Sequence, residues 1–162
     1  MERPDLLFTY MNHDRPRLIT NDADAQLLNS LYGVKLKPTV RAIGRELLPL
    51  ACLNSATLLG AEVVGRAYGG GMLKHEPKEA DRLPVPSSAT LEAVADELRA
   101  IRPQIGRALR SAKPQRAIDL VDTIILERHL GLSTVEVAGL RGARDLLFQR
   151  RITRSRSERV TD

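Results

Sequence analysis

The stretch from Arg66 to Lys74 contains the residues best suited to hold an anion. Its candidate binding residues are Arg66, Tyr68, Gly69, Gly70, Gly71 and Lys74. Three consecutive glycines cost backbone entropy and bring no side-chain packing. Such a bend is useful where consecutive main-chain N–H groups face an anion, and the flanking cations and tyrosine ring would add to that surface. The pattern predicts contact with a phosphate backbone; a flexible turn between a helix and a strand is the alternative.

A second cluster of polar residues lies at the tip of a predicted hairpin near the N-terminus. Its candidate DNA-binding residues are Asn12, His13, Arg15 and Arg17. Asparagine and arginine can form paired hydrogen bonds with the edges of adenine and guanine. These residues would read bases if the glycine stretch holds the backbone. A polar hairpin tip is also common on surfaces that bind nothing.

Catalytic motifs are missing from the sequence. The three histidines, His13, His75 and His129, have no metal-ligand spacing, and His129 is expected to act as a cation at a helix end. Neither a phosphate-binding Walker loop, nor a G-x-G-x-x-G motif, nor a nucleophile elbow is present. We therefore expect no catalytic residues, no metal site and no cofactor site in this chain.

Extended segments and one apolar helix are predicted for the first half. Leu6–Met11, Arg17–Thr20 and Leu31–Leu36 are typical of short strands. Apolar residues at helical spacing predict a single core helix over Arg45–Arg66, with Pro49 in its first turn. Cys52 falls in this apolar run, so we expect a buried small hydrophobe.

The second half is predicted to be helical. An exit strand and linker over Met72–Pro86 lead to amphipathic helices interrupted at Pro103 and Pro114. A capping box starting at Ser133 opens a last helix that is expected to run through Arg150. The resulting fold class is α+β: a small β unit packed on a long apolar helix, followed by a helical unit. The expected boundaries are 1–88, 89–150 and a flexible basic tail over 151–162.

The charge balance favours a polyanionic partner. The chain has 162 residues with 25 Lys and Arg against 20 Asp and Glu, a net charge of +5. Five arginines lie in the last residues: Arg150, Arg151, Arg154, Arg156 and Arg159. Neutralising phosphates with such cations releases counterions, although a solvated tail is the alternative. Aromatic residues are only 3%, which argues against a reader of single-stranded RNA. Without an apolar span or a signal peptide, a cytoplasmic protein with no membrane contact is expected.

The order of several short motifs resembles a known family. The motifs are Leu7-Phe8-Thr9-Tyr10-Met11, Leu31-Tyr32-Gly33-Val34, Leu53-Asn54-Ser55, the triplet after Tyr68, Leu73-Lys74-x-Glu76-Pro77 and Leu83-Pro84-Val85-Pro86. Over residues 5–87 the chain is similar to the C-terminal target-recognition region of class I, S-adenosylmethionine-dependent N6-adenine DNA methyltransferases of restriction-modification systems.

The resemblance implies a division of labour between two lobes. In the family, an N-terminal lobe binds S-adenosylmethionine and presents an Asn/Asp-Pro-Pro-Tyr/Phe motif to a flipped adenine, while the C-terminal lobe contacts double-stranded DNA. This sequence contains no such motif. The implied protein is the specificity portion alone, inactive in methyl transfer: a fragment, the product of a split or decayed gene, or the partner of a separate catalytic chain.

Two other functions are consistent with the sequence. A helical scaffold could present its basic face to an acidic protein, with the glycines serving only as a turn. An unrelated enzyme is the third hypothesis, and methyl transfer by the isolated chain would support enzymatic activity. Salt-sensitive binding of duplex DNA would distinguish the target-recognition hypothesis from the scaffold hypothesis.

Overall fold

The computed structural model describes residues 3–26, 29 and 31–158. Two small antiparallel sheets form its N-terminal part. The strands are β1 (Leu6–Phe8), β2 (Met11–Asn12), β3 (Leu18–Thr20), β4 (Tyr32–Val34), β5 (Arg66–Tyr68) and β6 (Met72–Lys74). One sheet has the order β3-β1-β4, with Leu7 opposite Ile19 and Gly33; the other has the order β2-β6-β5.

The predicted strand over Leu6–Met11 divides between the two sheets. Its first half is β1 and its end is β2, so the chain changes sheets at Thr9 and Tyr10. The main chain at this crossing is still bonded, since Thr9 N–H donates to the carbonyl of Arg17 and Tyr10 C=O accepts from His75 N–H. The apolar pattern indicated extended backbone correctly but not the change of partner.

The prediction of one helix over Arg45–Arg66 is wrong. A 3-10 turn over Pro38–Val40 leads into α1 (Arg41–Ala51), and α2 (Ser55–Val64) follows at an angle of 87°. The bend occurs because Asn54 begins a new helix: its side-chain oxygen accepts from Thr57 N–H at 2.9 Å.

Pro49 lies near the end of α1 and not in its first turn as predicted. A proline inside a helix cannot donate to the carbonyl four residues earlier, here that of Arg45. The hydroxyl of Thr20 donates to this carbonyl at 2.8 Å instead. The bond therefore attaches β3 to α1 and compensates the proline locally.

Helices make up most of the remaining chain. They are α3 (Pro77–Ala80), α4 (Ser88–Ala93), α5 (Ala95–Arg110), α6 (Pro114–Asp122), a π-helical segment (Thr123–His129) and α7 (Thr134–Glu158). The exit strand predicted from Met72 therefore ends at Lys74. Pro103 lies inside α5 and does not interrupt it, whereas Pro114 occupies the first position of α6.

The predicted start of the last helix is confirmed, and its predicted end is wrong. Ser133 N–H donates to Glu136 at 2.8 Å, and Ser133 Oγ accepts from Glu136 N–H at 3.3 Å. The helix then continues to Glu158, so residues 151–158 of the predicted flexible tail are helical. Arg159 and residues 160–162 lie outside the described residues.

The α+β class is confirmed, and one apolar cluster joins the sheets to the helices. It contains Leu6, Leu47, Leu98, Ile125 and Val137 among others, and thus includes residues on both sides of position 88. Cys52 is a buried member of this cluster, and its burial raises the pKa of its thiol to about 12.

Within the described part of the chain, no helix by itself has the length and apolar character to cross a membrane. By length and composition alone, the bent pair Pro38–Ala51 and Ser55–Val64 could do so together.

Candidate nucleic-acid interface

The glycine triplet forms the tip of the hairpin between β5 and β6. Gly70 and Gly71 both have φ of 75°, a conformation that favours glycine over residues with a side chain. Gly69 and Gly70 are exposed, and a Cβ built on Gly69 would meet nothing within 4 Å. Only Gly71 is buried. The outer main chain of this loop is therefore open to a ligand.

The two cations beside the loop, exposed Arg66 and half-buried Lys74, are paired with carboxylates of the segment that begins α3. Arg66 is 66% exposed and is bonded to Glu79; Lys74 Nζ lies 2.7 Å from Glu76. Each carboxylate raises the pKa of its cation. Exposed ion pairs of this kind contribute little to stability, so a phosphate could compete for the same cations.

Tyr68 completes the exposed face of the hairpin. The residue is 55% exposed, and Lys74 Nζ lies 4.9 Å from the ring centroid. The contact is a cation–π interaction, which keeps the ammonium group beside the ring. The structure thus brings together the predicted group of Arg66, Tyr68, the glycines and Lys74.

Asn12 does not occupy a position from which it could read a base. Its residue is 2% exposed, and its amide closes a local turn. The Nδ2 group donates to the carbonyl of Thr9 at 2.7 Å, while Oδ1 accepts from the Thr9 hydroxyl at 2.6 Å. Because both ends of the amide are already bonded, Asn12 shapes the hairpin between β2 and β3 and is removed from the set of candidate DNA contacts.

Arg15 and Arg17 both interact with Asp14 at the hairpin tip. Arg17 Nη2 donates to Asp14 at 3.1 Å and its side chain is about half exposed; Arg15 is also bonded to Asp14 but is much more buried. Burial works to raise the pKa of Asp14, and the two guanidinium groups outweigh it, so that the pKa falls below its usual value. Arg17 is therefore the more accessible cation of this tip.

Arg151 holds the two candidate loops together. Its guanidinium is 5% exposed and pairs with Glu62 through Nε at 3.1 Å and Nη2 at 2.9 Å. The same group donates to the carbonyl of Gly71 and, at 3.1 Å, to that of His13. A single buried side chain of α7 thus fixes the backbone of the glycine loop and of the hairpin tip.

Two neighbours on α7 complete this attachment. Arg144 Nη2 donates to the carbonyl of Asp14 at 2.6 Å. The ring of Phe148 packs edge-on against the exposed His13. The Cζ atoms of Arg144 and Arg151 lie 4.9 and 5.1 Å from the centroid of this ring. Sequence reasoning missed all three residues as loop supports. Their spacing of four and three residues places them on one helix face, which was the available signal.

In the described residues the glycine triplet does not belong to a strand-glycine-helix unit. Every strand pairing among them is antiparallel, and the glycine triplet joins two strands instead of a strand and a helix. No group of three metal-ligating side chains is found in this part of the chain. The described elements offer two adjacent basic loops on a rigid support, which suits binding.

The comparisons with known proteins identify the chain as a C-terminal region of a restriction-modification methyltransferase. The chain belongs to the family described as the C-terminal domain of the type II methyltransferase M.Eco57I, whose family profile matches residues 1–126. The predicted family resemblance is thereby confirmed.

One curated relative covers part of the chain. It is the type II methyltransferase M.XamI of Xanthomonas campestris pv. amaranthicola, 36% identical over 89 residues. The aligned segment is 54% of this chain and 16% of the relative, so the chain corresponds to a small share of that protein's length. No solved structure matches the chain.

Proposed function

We propose that this chain is the target-recognition portion of an adenine-specific DNA methyltransferase and that it binds double-stranded DNA. The observation that supports the proposal best is the joint support of the glycine loop and the hairpin tip by Arg151. Two loops whose relative position is fixed can contact two sites on a duplex at the same time.

The two loops have different roles in this proposal. The exposed N–H groups of Gly69 and Gly70, with Arg66 and Lys74, contact phosphate oxygens. Such contacts position the protein but carry no sequence information. Arg17 lies on the other loop and reaches into a groove, where arginine can form two bonds with guanine.

Methyl transfer lies outside the elements described above. In this proposal a catalytic lobe, in the same or another polypeptide, binds S-adenosylmethionine and receives the flipped adenine. The loops of this chain select the sequence at which flipping occurs. The chain by itself is expected to bind duplex DNA without methylating it.

The salt dependence of duplex binding tests the proposal. Fluorescence anisotropy of a labelled 20-bp duplex is measured at several salt concentrations for the wild-type chain and for Arg66→Ala/Lys74→Ala. Each lost phosphate contact reduces the magnitude of the negative slope of log K against log salt by about 0.9. The slope of the double variant should therefore be smaller in magnitude by about 1.8. Arg128→Ala is the control. Arg128 is an exposed cation of the π-helical segment, and it pairs with Glu97 of α5.

The outcomes separate the proposal from the scaffold alternative. An unchanged slope in the double variant removes the phosphate role of the glycine loop. A wild-type chain that fails to bind duplex at low salt but binds an acidic polypeptide would indicate the scaffold instead.

A further inference from the structure

A cleft of about 420 Å³ lies beside the hairpin tip, between the start of α6 and the inner face of α7. Four cationic side chains line it, accompanied by two carboxylates: Arg15, Lys113, Arg141 and Arg144, with Asp14 and Asp145. The apolar side chains of Leu58 and Ile118 form part of its wall. Each of the three arginines is paired with a carboxylate, Arg141 with both Asp119 and Asp122. Lys113 is the lining cation for which no ion pair is found among the described residues, so it is available to an anion.

Two of the arginines are fixed by bonds to other groups. Arg141 Nη2 lies 2.7 Å from the buried carboxylate of Asp122, which also accepts from the Ser55 hydroxyl at 2.6 Å. Arg144 is held by the carbonyl of Asp14 and by Asp145 at 3.1 Å. Their guanidinium groups are therefore preorganised, so binding would cost little side-chain ordering.

Arg15 has an unused hydrogen-bond donor. One of its terminal nitrogens is bonded to Asp14, but its Nε atom is buried and has no hydrogen-bond partner among the described residues. A buried N–H without an acceptor costs free energy. An oxygen atom supplied by a ligand in the cleft would remove that cost.

The surroundings of Arg15 are already rich in positive charge. Burial lowers the pKa of Arg15; the Asp14 carboxylate opposes this, and the guanidinium groups of Arg17 and Arg144 make smaller contributions that lower the pKa further. Like charges held this close are unfavourable unless an anion offsets them. Asp14 already offsets part of this repulsion, and an anion bound in the cleft would offset more of it.

The start of α6 adds a further positive contribution. Pro114 is the first residue of the helix, and the preceding Lys113 makes no side-chain cap. The positive end of the helix dipole therefore faces a cleft wall without a capping oxygen. The Lys113 side chain is exposed at the same place.

We propose that this cleft binds a phosphate group. A volume of this size accommodates the phosphate together with part of an attached nucleoside, whose apolar portion would lie against Leu58 and Ile118. The phosphate is either a diester of the DNA backbone or a free phosphate. The assignment to a DNA phosphate rests on the proposed function, because Arg15 belongs to the same hairpin tip. The assignment to a free phosphate does not rest on it.

Lys113→Ala tests the site with little risk to folding, because its side chain is exposed. Arg116→Ala is the matched control: it is exposed on the same helix and does not line the cleft. The full chain is titrated calorimetrically with inorganic phosphate at constant ionic strength. Loss of Lys113 should weaken binding roughly three- to tenfold, whereas loss of Arg116 should leave it unchanged.

A second measurement identifies the source of the phosphate. Duplex binding by Lys113→Ala is followed against salt; a slope reduced by about 0.9 indicates a DNA phosphate, and an unchanged slope with weakened phosphate binding indicates a free one. A reduced slope that the control does not show supports the site even if inorganic phosphate alone binds too weakly to detect.

Two results would overturn the proposal. One is inorganic phosphate binding that is unaffected by Lys113→Ala; the other is absence of phosphate binding combined with an unchanged DNA slope. Either result leaves the glycine loop untouched, since Arg66→Ala/Lys74→Ala reports on that surface separately. If the wild-type chain binds no duplex at all, the proposed function fails, and the phosphate titration still decides the cleft.

Discussion

Replacing Arg151 should damage both stability and DNA binding. In Arg151→Ala, the Glu62 carboxylate, whose side chain is 2% exposed in the wild type, would lose its cation, and the carbonyls of Gly71 and His13 would each lose a donor. Removing one partner of a buried ion pair typically costs about 3–5 kcal/mol. At roughly 2–4 °C per kcal/mol for a chain of this size, the melting temperature should fall by about 6–20 °C.

A double variant separates the two effects. Glu62→Met/Arg151→Met replaces the pair by apolar side chains of similar volume, which is often neutral or stabilising. Its free energy of unfolding should lie within about 1 kcal/mol of the wild-type value or above it. The donors to Gly71 and His13 are still missing, so both loops lose their fixed backbone, and duplex affinity should remain about tenfold reduced.

Urea unfolding and duplex anisotropy on the same preparations check these values. If Arg151→Ala loses less than about 1 kcal/mol, the pair is not the buried interaction described above. If the stable double variant binds duplex as well as the wild type, Arg151 does not position the loops. The exposed pair of Arg99 and Glu46 provides the control, since Arg99→Ala should change neither quantity much.

Three further predictions concern single positions. Gly70→Ala should destabilise the chain by about 1 kcal/mol, because φ is 75° there, while Gly69→Ala, with open space around it, should cost less in the same urea titration. At Asp5, burial acts to raise the pKa, but the Leu36 N–H and Arg41 outweigh it and lower the pKa below its ordinary value. The ionised Asp5 carboxylate therefore stabilises the fold at pH values above its pKa in the unfolded chain. This stabilisation is lost as the pH falls through its pKa in the folded chain. Asp5→Asn should accordingly show a shallower loss of stability between about pH 5 and about pH 2, and equal slopes would contradict the assignment. Cys52 is buried with a pKa of about 12, so a thiol reagent at pH 8 should label it only after denaturant is added; rapid labelling of the native chain would exclude burial.

Local signals in the sequence predicted the features that depend on neighbouring residues. The capping box at Ser133 and the strands at 18–20 and 32–34 follow from short-range chemistry and are confirmed. The opening of the glycine loop to solvent agrees with a bend that lacks side chains. The family resemblance also depends on short motifs in a fixed order, and it is confirmed.

Features that depend on distant contacts could not be predicted in this way. The apolar run through Cys52 was read as one helix, because only the bonds of Asn54 and of Ser55 to Asp122 reveal the break. Pro49 is tolerated near the end of α1 through a hydroxyl from β3. The sequence predicts Arg151 in a flexible basic tail, because nothing in its local sequence indicates the buried carboxylate of Glu62.

The contacts of Arg151 also determine when the binding surface can form during synthesis. The guanidinium reaches carbonyls 80 and 138 positions earlier in the chain. Both loops therefore lack these two hydrogen bonds until residue 151 has been synthesised and α7 has packed against them. Contacts between residues so far apart in the sequence form slowly. A chain truncated before Arg151 would accordingly lack the hydrogen bonds that hold the glycine loop and the hairpin tip.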